Sequence, residues 1–494
     1  MTRRVLFAVL AIAACTSGKS SAPTTTTLPK YTPVFAKVQC NNTTSPRVEC
    51  GTLTVPEDRT KPDGRKVVLA VATVHTADPT PAPDPVLYLS GGPGDSALTE
   101  TNRFLTKGQT GNRDVILLDQ RGTGSSEPAL TCPEVTAAIG TVLGAVQPYP
   151  TESKIARDAL LACRDRLRGS GIDLSQYNTA TVADDIADLR VAMGIKEWNL
   201  FGVSYGTMAA LVTMRAHPEG IRSVVLDSVV PPDVGTGAAE IATSFMRGQR
   251  NIFDGCARDA ACAAKYPNLE ADLRSVVDSL NANSYQSAIT NPVTNASMPI
   301  VLDGADALAG LYVALYDTET IPQVPATIEL MKSGVVGPVL DQLAIQGIDF
   351  VNRFAAAQAA AVDCYDRAAF QHDGDDTRIA AANPDTATVL LIATVSCKDF
   401  GVPGAPEGFN DPVKSDIPTL ILAGEYDEVT LPEQSKHAGD TLTHSTFVEF
   451  PGMGHAEVFA APECPETVFR AFLADPASPV DTSCVAAMGP PAWG

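Results

Sequence analysis

Apolar residues in this chain gather into short runs separated by turns and by longer amphipathic stretches. "KVVLAVATVH" (66–75), "DPVLYLS" (84–90), "RDVILLD" (113–119), "WNLFGVS" (198–204), "IRSVVLD" (221–227), "IPTLILAG" (417–424) and "STFVEF" (445–450) are the main ones, rich in Val and Leu. Runs apolar on both faces predict strands buried in a parallel sheet. Between them, "TATVADDIADLRVAMG" sets Val182, Ile186, Leu189 and Met193 at helical spacing, with Gly194 placed for a C-terminal cap. Strand and helix alternate, so the predicted class is α/β with a doubly wound, mostly parallel sheet. From 233 to 415 the text turns mainly helical, as in "DGADALAGLYVALYD" and "VPATIELMKSG". The expected organisation is a first core part over 35–232, an inserted helical cap over 233–415 and a second core part over 416–494.

One of these runs changes character abruptly. In "WNLFGVSYGTMAALVTMRAHP" Ser204 stands between Gly202 and Gly206, where an apolar strand gives way to a helical pattern. A serine on such a tight turn projects its hydroxyl above the sheet, and small neighbours avoid clashes there. An ordinary glycine-rich turn would explain the glycines but not the strand before and the helix after.

A serine hydroxyl needs a histidine base, itself oriented by a carboxylate. The chain has six histidines. His75 precedes the serine, against the order expected of such a sheet, and His217 ends the serine's own helix. His372 lies in the polar "QHDGDDTR", and His437 and His444 flank a predicted surface helix. His455, in the glycine-rich "FPGMGHAEV" after the last apolar run, is the predicted base. Two carboxylates end strands: Asp427 in "AGEYDEVT" and Asp227 in "RSVVLD". Both keep the order Ser, Asp, His; Asp427 is favoured as the acid, leaving Asp227 a structural place at the mouth of the site. An oxyanion needs two backbone N–H donors. Tyr205, directly after the serine, and Gly92, in "YLSGGPGDS" after an early strand, are the expected pair.

Composition narrows the class. The 494 residues are 45% hydrophobic, ample for a large core, and carry a net charge of −21, which argues against a nucleic-acid partner. Residues 1–14, with Arg3, Arg4 and an apolar stretch, predict a signal peptide too short to span a bilayer. "IAAC" resembles the bacterial lipobox, so Cys15 is the expected lipidation site and the only expected membrane attachment. Residues 15–34, rich in Ser, Thr and Pro, read as a tether. Eleven cysteines less Cys15 leave ten, an even number that fits an oxidising compartment. Neighbours in sequence give the simplest pairing: Cys40–Cys50, Cys132–Cys163, Cys256–Cys262, Cys364–Cys397 and Cys464–Cys484. No CxxC spacing or histidine cluster points to a metal, and no cofactor is expected.

Taken together, "GGPG", "LLDQRGTGSSEPALTC", "WNLFGVSYGT", "SVVLDSVVPP", "AGEYDEVT", "GMGHA" and the late "CPETVFRAFLADP" resemble one family. It is the prolyl iminopeptidase family of α/β-hydrolases, in its exported actinobacterial tripeptidyl aminopeptidase-like branch. The resemblance runs from about residue 35 to the end and is weakest in the cap. It implies Ser204, Asp427 and His455 as a triad and peptide substrates with a free N-terminus, their amine met by carboxylates of the cap. Two positions depart from the pattern: Ser90 stands where many relatives have histidine, and Ala456 where glycine is usual. An esterase or lipase on the same triad is the alternative, and a non-catalytic binding protein on the same fold a further one.

Overall fold

The computed structural model describes residues 31–41, 43–372, 374–387, 389–390 and 396–494. The expected signal peptide and Cys15 lie outside the described residues. Eleven strands occur among them: β1 (Val34–Val38), β2 (Val48–Pro56), β3 (Lys66–Val74), β4 (Val86–Leu89), β5 (Val115–Leu118), β6 (Trp198–Val203), β7 (Ile221–Asp227), β8 (Tyr285–Thr290), β9 (Ser297–Leu302), β10 (Thr419–Gly424) and β11 (Ser445–Phe450). Nine form one sheet in the order β1-β2-β3-β5-β4-β6-β7-β10-β11.

From β5 to β11 every pairing is parallel. Strands β4, β5, β6 and β10 are buried along their whole length, as their unbroken apolar runs require. The 66–75 run forms β3 as a strand, but it pairs antiparallel on both sides, with β2 and β5. Apolar residues on both faces report burial, and burial does not set strand direction. The edge strand β1 and its neighbour β2 were not predicted. β2 buries mainly alternate residues, and β1 is largely exposed, so neither offers a continuous apolar run.

The helix Thr179–Ala192 buries Val182, Ile186 and Leu189 against the core, and Gly194 takes a φ of 68° just beyond its end. Tyr31, expected in the tether, already touches the core: its hydroxyl accepts from Arg59 Nε at 2.8 Å and donates to Asp188.

The long insert is not uniform. Its helices Ala238–Arg258, Leu269–Ala282, Gly304–Tyr316, Val324–Lys332 and Gly337–Arg353 build a separate apolar layer with the antiparallel hairpin β8–β9, which the helical expectation missed. The helix Pro133–Leu143, from the first core part, also packs there through Ile139 and Leu143. The helix Ala356–Asp366, by contrast, returns to the sheet and buries Ala357, Ala360, Ala361 and Cys364 in the same cluster as Leu87 and Leu200. The expected cap stretch 233–415 therefore includes a helix that packs on the sheet.

Five disulfides join Cys40 to Cys50, Cys132 to Cys163, Cys256 to Cys262, Cys364 to Cys397 and Cys464 to Cys484. Cys132, Glu134 and Cys163 are grouped closely enough for a metal, but the two sulfurs are bonded to each other. No helix among the described residues is long and apolar enough to cross a membrane.

Candidate active site

Ser204 sits where β6 turns into the helix Tyr205–Ala216, with φ 56° and ψ −127°. A non-glycine residue holds such a conformation only where its surroundings over-determine it. They do here. A Cβ on Gly206 would stand 2.0 Å from the carbonyl oxygen of Leu89, and one on Gly202 would stand 2.4 Å from that of Gly206. The backbone therefore closes on itself around the serine, whose amide donates to Asp227 O at 3.0 Å.

His455 lies on the loop after β11, and its Nδ1 is 2.9 Å from Asp427 Oδ2. Asp427, on the loop after β10, is fully buried. Its Oδ1 accepts from the amides of Val429 and Thr430, each at 2.8 Å, and its Oδ2 accepts from the Thr430 hydroxyl at 2.6 Å. Burial alone would push the carboxyl's pKa up and the imidazole's down. Their mutual attraction wins, leaving Asp427 below and His455 above its ordinary value. Asp427 is thus a carboxylate dedicated to one face of the imidazole. Among the described residues Ser204 Oγ makes no hydrogen bond; in unliganded sites such contacts are commonly long and close on substrate binding.

The cap meets this loop directly. The amide of His455 donates to Tyr316 O at 3.2 Å, the amide of Gly454 donates to Thr318 Oγ1 at 2.9 Å, and the Tyr316 ring stands edge-on to the imidazole at 5.5 Å.

Asp227 is also buried, but it serves the chain: it accepts from the amides of Glu457 and Val458, each at 3.0 Å. Ser228 extends this clamp, accepting from the amide of Ala456 at 2.9 Å. Ala456 itself adopts φ 65°, so the residue standing where glycine is usual carries a left-handed conformation. The other partnered histidines lie elsewhere: His75 with Asp114, His217 with Asp184, His437 with Asp233 and His444 with Asp416 O. A carboxylate partner alone therefore does not distinguish His455; its place beside the strand ends does.

The glycine loop after β4 lies against the serine. A Cβ on Gly91 would stand 2.9 Å from Ser204 Cβ. Gly92, one peptide on, has φ 106°. Among the described residues neither its amide nor that of Tyr205 donates a hydrogen bond within the chain. Ser90 is buried, and its hydroxyl donates to Asp95 O at 3.1 Å. Sequence reasoning missed Thr430, although a hydroxyl three residues after an aspartate is a recognisable turn pattern. It also missed Tyr316 and the buried Glu428 and Glu457, which carry no spacing signal.

A hydroxyl on a strained turn, a carboxylate-bound imidazole and two unpaired amides at parallel strand ends are groups of the kinds that acyl transfer uses. Residues 84–292 match the family model described as alpha/beta hydrolase fold, and residues 382–484 match that of TAP-like protein. The chain has the alpha/beta hydrolase fold.

Within that class it resembles tripeptidyl aminopeptidases and their kin. It is 33% identical over 196 residues to the tripeptidyl aminopeptidase of Streptomyces lividans, covering 37% of this chain and 36% of that one. It is 28% identical over 287 residues to the serine protease Hip1 of Mycobacterium tuberculosis, covering 54% and 52%. A probable proline iminopeptidase of Streptomyces coelicolor is 27% identical over 169 residues, covering 34% and 38%. The chain thus spans between about a third and about half the length of these curated relatives.

Proposed function

We propose that this chain is an exported serine peptidase that releases short peptides from free N-termini through an acyl-enzyme on Ser204. The observation that carries this reading is the 2.9 Å pair of His455 and buried Asp427 on loops neighbouring the glycine-flanked Ser204. His455 accepts the hydroxyl proton as Ser204 attacks the acyl carbon, and Asp427 stabilises the imidazolium that results. The amides of Gly92 and Tyr205 receive the oxyanion. His455 then protonates the leaving amine, and water repeats the sequence to free the acyl group.

The named relatives favour peptides over other acyl substrates, and the cap favours a chain end over a folded protein. The same triad would also cleave simple esters, so an esterase is the second reading. Five disulfides favour an oxidising compartment, and Cys15 remains the expected lipid-bearing residue, with peptides as the partners.

The test compares a tripeptidyl amide with its N-acetylated form. Loss of the charged amine should lower kcat/KM by at least about tenfold, the worth of one modest charge-assisted contact. Ser204→Ala should lose several orders of magnitude with both. Equal rates for free and blocked substrates in the wild type would turn the assignment to an esterase or endopeptidase.

A further inference from the structure

The helix Ala356–Asp366, which packs on the sheet, reaches the chain beside both proposed oxyanion donors. At its start the amide of Ala355 donates to Gly94 O at 3.1 Å, in the loop that carries Gly92. A Cβ on Gly94 would stand 2.8 Å from the Phe354 ring, so the loop is confined there. At the helix's other end Asp366 Oδ2 accepts from the Thr179 hydroxyl. Thr179 has a single hydroxyl proton, so its oxygen accepts in turn from the Tyr205 phenol, 2.7 Å away. Tyr205, Thr179 and Asp366 are all buried. The end that holds them is itself fixed. Asp366 O accepts from Asn410 Nδ2 at 2.7 Å, and Arg367 Nη1 donates to Pro231 O at 2.9 Å and Pro232 O at 3.2 Å.

The proposed mechanism uses the amide of Tyr205 but not its phenol. A row of buried hydrogen bonds adds little net stability, because each group was bonded to water in the unfolded chain. What the row adds is direction. A phenylalanine in the same space would be free to slide, whereas a phenol bound through Thr179 to a helix end is held at one distance. Tyr205 opens the helix that follows Ser204, so holding its ring holds the first turn and the amide within it. The two proposed donors lie on loops far apart in the sequence, and an oxyanion is stabilised only where their spacing is set before charge develops.

We propose that the helix Ala356–Asp366 is the strut that sets this spacing, with the Tyr205 phenol, Thr179 and Asp366 as positioning residues at its nucleophile end. The role rests on the acyl-enzyme reading above. Buried as they are, none of these three side chains meets substrate. They act through the Tyr205 amide, so their loss should be felt when the oxyanion forms and not when substrate binds.

The experiment uses the full chain as wild type, Tyr205→Phe, Thr179→Val, Thr179→Ser and Asp366→Ala, with Asp366→Leu in reserve should the alanine variant not fold. The substrate is trialanyl-p-nitroanilide. The probe of the oxyanion site is a tripeptidyl boronic acid, which becomes tetrahedral on Ser204. Tyr205→Phe, Thr179→Val and the Asp366 variant should each lower kcat about tenfold, the scale of one hydrogen bond, with KM within twofold. Each should weaken the boronic acid by the same factor. Thr179→Ser, which keeps the hydroxyl, should bring both readouts back to within about threefold of wild type. Tyr205→Phe combined with Thr179→Val should be no worse than either alone, because both break one chain. A merely structural chain would lower the melting temperature and leave kcat and the boronic acid affinity where they were. A wild type that binds the boronic acid no better than Ser204→Ala would sink the acyl-enzyme reading and this inference together. Tight boronic acid binding through Ser204 that Tyr205→Phe and Thr179→Val retain, a loss that Thr179→Ser fails to restore, or an Asp366 variant with wild-type kcat would overturn the inference alone.

Discussion

Replacing Asp427 with asparagine tests the proposed base most sharply, because the two oxygens of this carboxylate are not equivalent. Oδ1 accepts two backbone amides, from Val429 and Thr430, whereas Oδ2 faces His455 Nδ1 at 2.9 Å and the Thr430 hydroxyl. An asparagine that turned its nitrogen toward the two amides would forfeit two buried hydrogen bonds, about 2–6 kcal/mol in all. Even the lower figure is a preference of about thirtyfold, so the amide oxygen stays at Oδ1 and the NH2 faces the imidazole. That NH2 can only donate to Nδ1. The ring proton is driven to Nε2, the nitrogen that must accept the proton of Ser204.

The expected loss in kcat is therefore about four orders of magnitude, with little change in melting temperature. Asp227→Asn should behave oppositely. Each of its oxygens accepts one backbone amide, so an NH2 at either place opposes a donor and lowers stability. Its activity should fall by less than about tenfold, the scale of one hydrogen bond. Release of p-nitroaniline from a tripeptidyl anilide, followed alongside thermal melts of both variants, checks the pair. Activity of Asp427→Asn within tenfold of wild type, or a greater kinetic loss in Asp227→Asn, would refute the assignment of the acid.

The remaining expectations concern pH and cross-links. Burial lowers the His455 pKa, but Asp427 more than offsets this and holds it above 6.5, so activity should rise with pH through an acid limb above that value. A kcat/KM profile with its limb at or below 6.5 would contradict this. Burial and then Asp227 keep the Glu457 carboxyl protonated well above its ordinary range. A raised acid binds more protons folded than unfolded, so its contribution to stability falls as pH climbs past the ordinary carboxylate range. Glu457→Gln should then melt above wild type by a margin that widens between pH 5 and 8; parallel melting curves would count against it. Loop-closure entropy ranks the disulfides: losing Cys256–Cys262, six residues apart, should cost about 2 kcal/mol, and losing Cys364–Cys397, 33 apart, about 4 kcal/mol. Denaturant titration of the two double-serine variants would expose a reversed order.

Much of the fold was legible because buried strands announce themselves. Seven apolar runs became seven strands of the main sheet, and the four buried throughout, β4, β5, β6 and β10, are covered on both faces and leave little room for polar residues. What failed was whatever depends on neighbours rather than on the run itself. β3 is as apolar as a parallel strand but lies between antiparallel partners, and the pairing is set by the short return from β2. β8 and β9 alternate exposed and buried positions in a cap whose helices dominate the pattern. At the site, chain order and loop position singled out Ser204, Asp427 and His455, and the structure brings Asp427 and His455 into contact. Glu428 and Glu457 stayed hidden because nothing in a sequence distinguishes a buried glutamate from a solvated one.

The cap's last and least legible feature is where it is tied. A lid is expected to swing free of the chemistry, yet this one is hydrogen-bonded to two of the loops that would perform it. Tyr316 O holds the amide of His455 at 3.2 Å, and the amide of Ala355 is held by Gly94 O at 3.1 Å in the glycine loop. Close packing reinforces both ties. A Cβ on Gly94 would meet the Phe354 ring at 2.8 Å, and one on Gly454 would meet Ile321 at 2.9 Å and Leu315 O at 3.1 Å. Moving the cap as a rigid body at either tie would therefore shift the proposed base or the proposed oxyanion donors. Preorganisation of those groups is what an acyl-transfer site depends on. On the proposed reading, the cap is thus part of the frame that holds the proposed catalytic loops in place, and access for substrate would come from side-chain motion or from cap segments distant from Tyr316 and Ala355.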